Sequence, residues 1–160
     1  EIKEYLIPKV KYLKRDEKYD LATADVNNMF YTFSLTVPAD IYVLAHATAP
    51  FLKSTSIDKG VLAVKSGLYD SALAVRKMQE FIWKDNKPFN YDIKKIPRTQ
   101  DLTPLFVETT GLYIYTKEVI QNNRSRIGDK PLLLEVSSIE AVDINNPIDF
   151  EIANAISSKL

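Results

Sequence analysis

The sequence contains no cysteine, only four glycines and no excess of charge of either sign. Without cysteine, neither a disulfide framework nor a thiolate zinc site can form. The 21 Lys and Arg residues balance 21 Asp and Glu residues, so no global field favours nucleic acid or an anionic membrane. The sequence also has no apolar run of membrane-spanning length and no signal peptide. These absences favour a cytoplasmic protein that binds any anionic ligand through local groups.

The sequence does contain enough apolar residues for a folded core. Hydrophobic residues make up 46% of the 160 residues, which suits one domain. The chain starts at Glu1 without an initiator methionine, so we expect residues 1–160 to be one partial domain of a longer polypeptide.

Helical and strand patterns alternate along the chain, which predicts an α/β fold with a mostly parallel sheet. Thr23 is a candidate N-cap, Pro38 a helix stop, and Pro147 opens the last helix. The predicted helices cover 23–37, 54–67, 117–123 and the stretch from 147 onward. The predicted strands cover 10–13, 41–45, 71–83, 105–116 and 131–136, and residues 85–104 have the composition of a loop.

The two long strand patterns within residues 71–116 break this alternation of strands and helices. They predict an antiparallel arm that projects from the sheet. Arms of this kind often serve oligomerisation.

Two polar segments follow predicted strands, where ligands bind in open α/β sheets. His46 and Thr48 follow the strand at 41–45, and His46 could bind a hydroxyl or titrate there, or simply fill a loop. Asp143 and Asn145 lie two residues apart, so in extended chain their oxygens can point the same way and bind Mg²⁺.

A purely structural role is the alternative for the second segment. Asn146 would then cap the last helix, and Asp149 would favour the positive end of its dipole. The pattern strongly favours this role for Asp149.

Arginines in the loops add candidate anion-binding groups. Arg98 could hold a carboxylate or phosphate in a forked contact. Arg124, Arg126 and Lys130 form a basic turn around Gly128. As for Arg98, the alternative is that these side chains are simply solvated. No Walker loop, zinc-ligand spacing or nucleophile elbow is present.

Five segments, in order and with similar spacing, resemble motifs of the acylneuraminate cytidylyltransferases, the CMP-sialic acid synthetases. The segments are His46–Phe51, Arg98–Leu102, Glu108–Ile114, Arg126–Val136 and Val142–Phe150. The resemblance covers mainly residues 39–160. It implies a Rossmann-like nucleotide-diphospho-sugar transferase fold, of which the chain would hold the C-terminal two-thirds.

The resemblance also implies a reaction. Enzymes of this family transfer CMP from CTP to an acidic keto-sugar and release pyrophosphate, with Mg²⁺ as cofactor. They act as homodimers, and the arm of one subunit helps to close its neighbour's sugar pocket. The expected partners are therefore CTP, an acidic nine-carbon or related sugar, and a second copy of the chain, without nucleic acid or membrane.

The matched positions imply roles for particular residues. Asp143 and Asn145 occupy the metal-binding positions, and Asp143 and Arg98 are the expected catalytic residues. Arg98 would hold an anionic part of the substrate. The expected substrate-binding residues are His46, Thr48, Gln100, Thr110 and Tyr113.

Several positions depart from the family pattern. Asn145 replaces an Asp, which should weaken Mg²⁺ binding, and Thr110 replaces an Asn. His46 replaces a Gln, so sialic, legionaminic, pseudaminic and octulosonic acids all stay open as substrates. The Gly-rich basic nucleotide loop is absent, so we expect the chain by itself to be incomplete or inactive.

Two other functions are compatible with the sequence. One is a non-catalytic, truncated relative that forms dimers and binds a sugar or a partner, which Asn145 and the missing loop favour. The other is a nucleotidyltransferase for a neutral sugar, in which Arg98 would have no carboxylate to bind.

Overall fold

The computed structural model describes residues 7–21 and 23–160. The helices are α1 (Val26–Thr36), α2 (Ser54–Lys65), α3 (Lys117–Asn123) and α4 (Pro147–Ser157), with 3-10 turns at Glu17–Asp20 and Thr99–Asp101. The strands are β1 (Ile41–Ala45), β2 (Ser71–Met78), β3 (Trp83–Lys84), β4 (Lys87–Pro88), β5 (Leu105–Thr116) and β6 (Pro131–Glu135). Within the described residues, no helix is both long and apolar enough to cross a membrane.

Four strands form the main sheet in the order β1-β5-β2-β6. β5 is antiparallel to both neighbours, and β2 is parallel to β6. Three of the four strands therefore run in the same direction, and their carboxyl ends lie at one edge of the sheet. This confirms the predicted α/β class with a mixed, mostly parallel sheet.

Helices cover both faces of the sheet, because each face is apolar. On one face α1 and α3 pack over a cluster that includes Tyr113 and Ile120, both fully buried. On the other face α2 packs through Val61 and Val64 onto Leu112 and neighbouring side chains. The core thus consists of two apolar layers separated by the sheet.

The long strands of residues 71–116 pair antiparallel, as predicted, but they form the centre of the sheet. What lies outside the sheet is the connection between them, residues 79–104, which we call the arm segment. Gln79 Nε2 closes its base by donating to the backbone oxygens of Gln100 and Leu102, at 3.1 and 2.8 Å. The β2 strand ends at Met78 and not at Trp83 as the pattern predicted.

The arm segment contains a small hairpin that the sequence pattern did not predict. Asp85 and Asn86 form its two-residue turn between β3 and β4, both with positive φ. Positive φ at both central residues is the type I′ geometry that matches the twist of paired strands, and Asn and Asp tolerate it well. The Asn90 amide secures the hairpin by accepting from Ile82 N and donating to Glu80 O.

One predicted helix cap is wrong, and a second helix is capped by a residue that is distant in sequence. Asp25, not Thr23, caps α1 through hydrogen bonds from Asn27 N and Asn28 N. At α2, the buried Glu140 takes the capping role from a distant part of the chain, accepting from Ser56 Oγ at 2.6 Å and from Lys53 N at 3.3 Å. These bonds outweigh burial, and so the pKa of Glu140 lies below its ordinary value.

One predicted strand is absent. Residues 10–13 are all exposed and belong to no strand within the described part of the chain. Alternation of apolar and polar residues indicates a strand where one face can be buried, and here neither face is buried.

Candidate functional site

A wide bulge in β5 lies opposite the end of β1. Pairing shifts from Leu73 with Tyr113 to Val75 with Glu108, so residues 109–111 stand outside the regular ladder. Thr110 has φ of +60°, which is strained for a β-branched residue. A Cβ at Gly111 would lie 2.8 Å from Ala49 Cβ, so only glycine allows this close approach. The backbone of residues 109–111 therefore departs from regular strand geometry.

The chain after β6 crosses the carboxyl edge of the sheet and reaches the bulge. Glu140 anchors this crossing to the start of α2. Ile144 N then donates to Thr48 O at 2.9 Å, which places Asp143 beside the residues that follow β1. The crossing brings together a group that we call the strand-end site: His46, Thr48, Thr110, Asp143 and Asn145.

Asp143 is the centre of the strand-end site. Its Oδ2 accepts from Asn145 Nδ2 and lies at the same distance, 3.0 Å, from Thr110 Oγ1. The single Thr110 proton is shared between Asp143 and Thr109 O, which is 2.7 Å away. Asp143 Oδ1 is buried and has no hydrogen-bond partner.

The electrostatics of the site keep Asp143 ionised. Burial acts to raise the pKa of Asp143, but the Thr48 hydroxyl and the bonds from Asn145 and Thr110 bring it below its ordinary value. The Thr48 hydroxyl lies close enough for this effect, although it does not complete a hydrogen bond to Oδ1. The charge of His46 contributes in the same direction. Asp143 is therefore a carboxylate at neutral pH with one oxygen free.

Asp149, six residues further on, has a structural role. Its Oδ2 accepts from the backbone N–H groups of Asn145 and Asn146, both at 3.0 Å. Asn146 in turn caps α4 by accepting from Asp149 N, which completes a capping box. The alternative that the pattern favoured for Asp149 agrees with this geometry.

A divalent cation would find one carboxylate ligand here. An oxygen that is buried without a donor is one that a cation could bind, and Mg²⁺ commonly takes one or two carboxylates and completes its shell with phosphates and water. Across residues 7–21 and 23–160, no group of three or more His, Asp and Glu side chains is arranged as a metal site. The residues thus fit a cation shared with a phosphate substrate and do not form a closed protein cage.

A second polar cluster adjoins His46. The ring of the fully buried Tyr113 is tilted against that of His46, with ring centroids 6.3 Å apart, and the Tyr113 hydroxyl donates to Glu108 Oε1. Arg126 lies over the Tyr113 ring, with its Cζ 4.1 Å from the centroid. Burial and the bond to Glu108 raise the pKa of Tyr113 to about 12, so the phenol stays protonated.

The bulge explains why Glu108 and Tyr113 meet. They are an odd number of residues apart and would face opposite sides of a regular strand. Their partners Val75 and Leu73 lie on one face of β2, so the bulge returns both to the same face. No local sequence pattern signals this contact.

The structure does not bring Arg98 and Gln100 to the strand-end site within the chain. Arg98 lies in the arm segment, where its Nε and Nη2 bind the Asp101 carboxylate at 2.7 and 3.0 Å. Gln100 accepts from Gln79 through its backbone.

A cavity of about 450 Å³ lies elsewhere, between α1, the β1 edge and residues 13–19. No residue of the strand-end site lines it.

No family profile and no curated protein sequence matches this chain. Solved structures do. A 4-diphosphocytidyl-2C-methyl-D-erythritol synthase from Anaerococcus prevotii superposes with a TM-score of 0.62 at 11% identity, over 85% of this chain and 68% of that one. A CMP:2-keto-3-deoxy-manno-octonic acid synthetase solved with CTP gives 0.60 at 12% identity, over 86% and 70%. The chain therefore has the Rossmann-like nucleotidyltransferase fold.

Proposed function

We propose that this chain belongs to a cytidylyltransferase that transfers CMP from CTP to an acidic keto-sugar of the sialic acid or octulosonic acid type and releases pyrophosphate. The observation that carries the proposal is the free, buried Oδ1 of Asp143 at the carboxyl edge of the sheet, while Thr110 and Asn145 hold Oδ2 of the same carboxylate. The fold is shared with two proteins whose names describe cytidylyl chemistry, one of them solved with CTP.

The proposed reaction is an attack by the sugar's anomeric hydroxyl on the α-phosphorus of CTP. A new oxygen–phosphorus bond forms, the bond from the α-phosphorus to the bridging oxygen breaks, and pyrophosphate leaves with that electron pair. His46 acts electrostatically on Asp143, and an imidazole nitrogen of His46 can accept the hydroxyl proton as a general base. Thr48 and Thr110 can hydrogen-bond the substrate.

Asp143 and Asn145 would hold Mg²⁺ in this proposal. When bound, Mg²⁺ neutralises charge on the phosphates and orients them for displacement. Because its pKa is lowered, Asp143 is better suited to bind Mg²⁺ as a charged ligand than to accept a proton.

We also propose a homodimer formed through the arm segment. Its exposed large apolar side chains are Phe81, Trp83, Phe89, Ile93 and Ile96. In a dimer, the arm segment would carry Arg98 and Gln100 toward the sugar pocket of the neighbouring subunit.

Pyrophosphate release tests the proposal directly. The longest form of the protein that the gene encodes is incubated with CTP, Mg²⁺ and each of several eight- and nine-carbon keto-acid sugars. Release is expected with at least one sugar. Asp143→Ala should reduce it by at least about a hundredfold, because a metal ligand contributes several kcal/mol to transition-state stabilisation.

The matched control is Asp149→Ala, which removes a carboxylate from the first turn of α4, six residues after Asp143, and does not alter the free oxygen. It should lower the melting temperature but leave turnover at permissive temperature. No pyrophosphate with any of these sugars, or full activity of Asp143→Ala, would refute the proposal.

One observation favours a second candidate, a non-catalytic sugar-binding dimer. The Asn145 amide satisfies Asp143 Oδ2 and supplies no second negative charge for a cation. This candidate predicts sugar binding by calorimetry without Mg²⁺ and without pyrophosphate release.

A further inference from the structure

Arg126 lies in the turn after α3 and packs against Tyr113 of β5, whose ring adjoins His46 of the strand-end site. Its side chain is only 23% exposed, and its Nη2 donates to the Tyr113 hydroxyl at 3.3 Å. The guanidinium Cζ also lies 4.1 Å from the Tyr113 ring centroid, which is close enough for a cation–π contact. The position of Arg126 is thus fixed by the core of the protein.

Most of the hydrogen-bonding capacity of Arg126 is unused. A guanidinium carries five N–H donors, and the bond to Tyr113 is the only one that Arg126 makes to a described residue. Glu108 Oε1 lies 3.9 Å from Nη2, near enough to compensate its charge but too far for a hydrogen bond. A carboxylate is the group whose two oxygens match the free fork.

Arg126 is also connected to the proposed chemistry, through Tyr113 and His46. The Tyr113 ring contacts both Arg126 and His46, and His46 acts electrostatically on Asp143. Arg98 offers no comparable group within the subunit, because Asp101 occupies its fork and its side chain is 73% exposed.

We propose that Arg126 binds the carboxylate of the acidic sugar and that Glu108 is an internal counter-ion which this carboxylate replaces. The inference rests on the proposed function and deepens it. Arg126 would determine specificity for acidic over neutral sugars, since a neutral sugar has no carboxylate that could replace Glu108 and bind the free fork of Arg126.

The test compares each keto-acid sugar with its methyl ester. Arg126→Ala should raise KM for the acid by roughly 10- to 100-fold, the usual size of a charge-assisted forked contact, and leave KM for the ester nearly unchanged. Arg126→Lys keeps the charge without the fork and should give an intermediate KM. The matched control is Arg124→Ala, since Arg124 stacks on Tyr31 instead.

Glu108→Gln distinguishes competition between Glu108 and the substrate carboxylate from a purely structural role of the Glu108–Arg126 pair. If Glu108 competes with the substrate, its neutralisation should lower KM for the acid about threefold without lowering KM for the ester. A structural role for the Glu108–Arg126 pair predicts no such gain.

Calorimetry of N-acetylneuraminic acid, an octulosonic acid and their methyl esters applies the same comparison to Kd. Because Kd is measured without turnover, calorimetry tests the role of Arg126 even if no pyrophosphate is released. A lack of pyrophosphate release would refute the proposed function but not the carboxylate binding by Arg126. Equal loss of acid and ester binding in Arg126→Ala would overturn the inference. So would an unchanged preference for the acid in Arg126→Ala.

Discussion

The strand-end site and the arm segment are both interruptions of the same β2–β5 pair, but they are built in opposite ways. The site lies within the sheet, where core packing and hydrogen bonds fix nearly every polar atom around Asp143. The arm segment leaves the sheet, is held by local bonds such as those of Asn90, and exposes large apolar side chains. One region holds a carboxylate in a fixed position, and the other exposes apolar side chains to solvent.

The largest effect should come from placing a charge on the arm segment. Trp83 is 55% exposed and contacts Tyr91, with ring centroids 6.4 Å apart. If the arm segment forms the dimer, Trp83→Asp should weaken association by about thirtyfold or more, because an aromatic anchor contributes about 2 kcal/mol or more. Analytical ultracentrifugation measures the change.

Leu68→Asp is the matched control, because Leu68 is 75% exposed but lies in the turn after α2. If the parent protein is a monomer, or if the two variants have equal effects, the arm segment does not form a dimer interface and the contrast between the two regions is wrong.

A moderate effect is expected when the site gains a second carboxylate. Asn145→Asp should lower the Mg²⁺ concentration for half-maximal activity by roughly tenfold, because affinity for hard cations rises with ligand charge. In chelator, the same variant should be less stable than its parent, since it loses the bond from Nδ2 and places two carboxylates together. Asn154→Asp adds the same charge on exposed α4 and should change neither quantity. An unchanged Mg²⁺ requirement would place residue 145 away from the metal.

The smallest effect concerns backbone strain in the site. Thr110→Asn should stabilise the fold by about 1 kcal/mol, because Asn adopts positive φ more readily than a β-branched residue. Urea denaturation measures this, with Thr103→Asn at an exposed position of ordinary φ as the control. A loss of stability would mean that the Thr110 hydroxyl contributes more than its backbone strain costs.

Much of the fold could be predicted from local sequence patterns. Apolar periodicity indicated α1, α2 and α4, and short apolar runs indicated β1 and β6, because these elements bury a regular face. The cap of α2 could not be predicted, because Glu140 comes from 84 residues beyond Ser56. The β3–β4 hairpin was missed although Asp85 and Asn86 are suitable I′ turn residues.

The candidate site was predictable in part. His46, Thr48, Asp143 and Asn145 follow strands, and their polarity at those positions is visible in the sequence. Arg126 could be recognised only as one member of an ambiguous basic turn, and Glu108 was not singled out by its chemistry. Their relation depends on the register between β2 and β5, which is a property of the folded sheet.

The register between β2 and β5 shifts by an odd number of residues at the bulge, and this limits which mutations the bulge can accept. Substitutions at residues 109–111 alter local chemistry but keep Glu108 and Tyr113 on the same side. Removal or addition of one residue there would turn half of β5 over and expose one set of buried side chains. Gly111 is restricted to glycine by its close approach to Ala49, but we expect residues 109 and 110 to accept replacements in directed evolution far more readily than single-residue insertions or deletions.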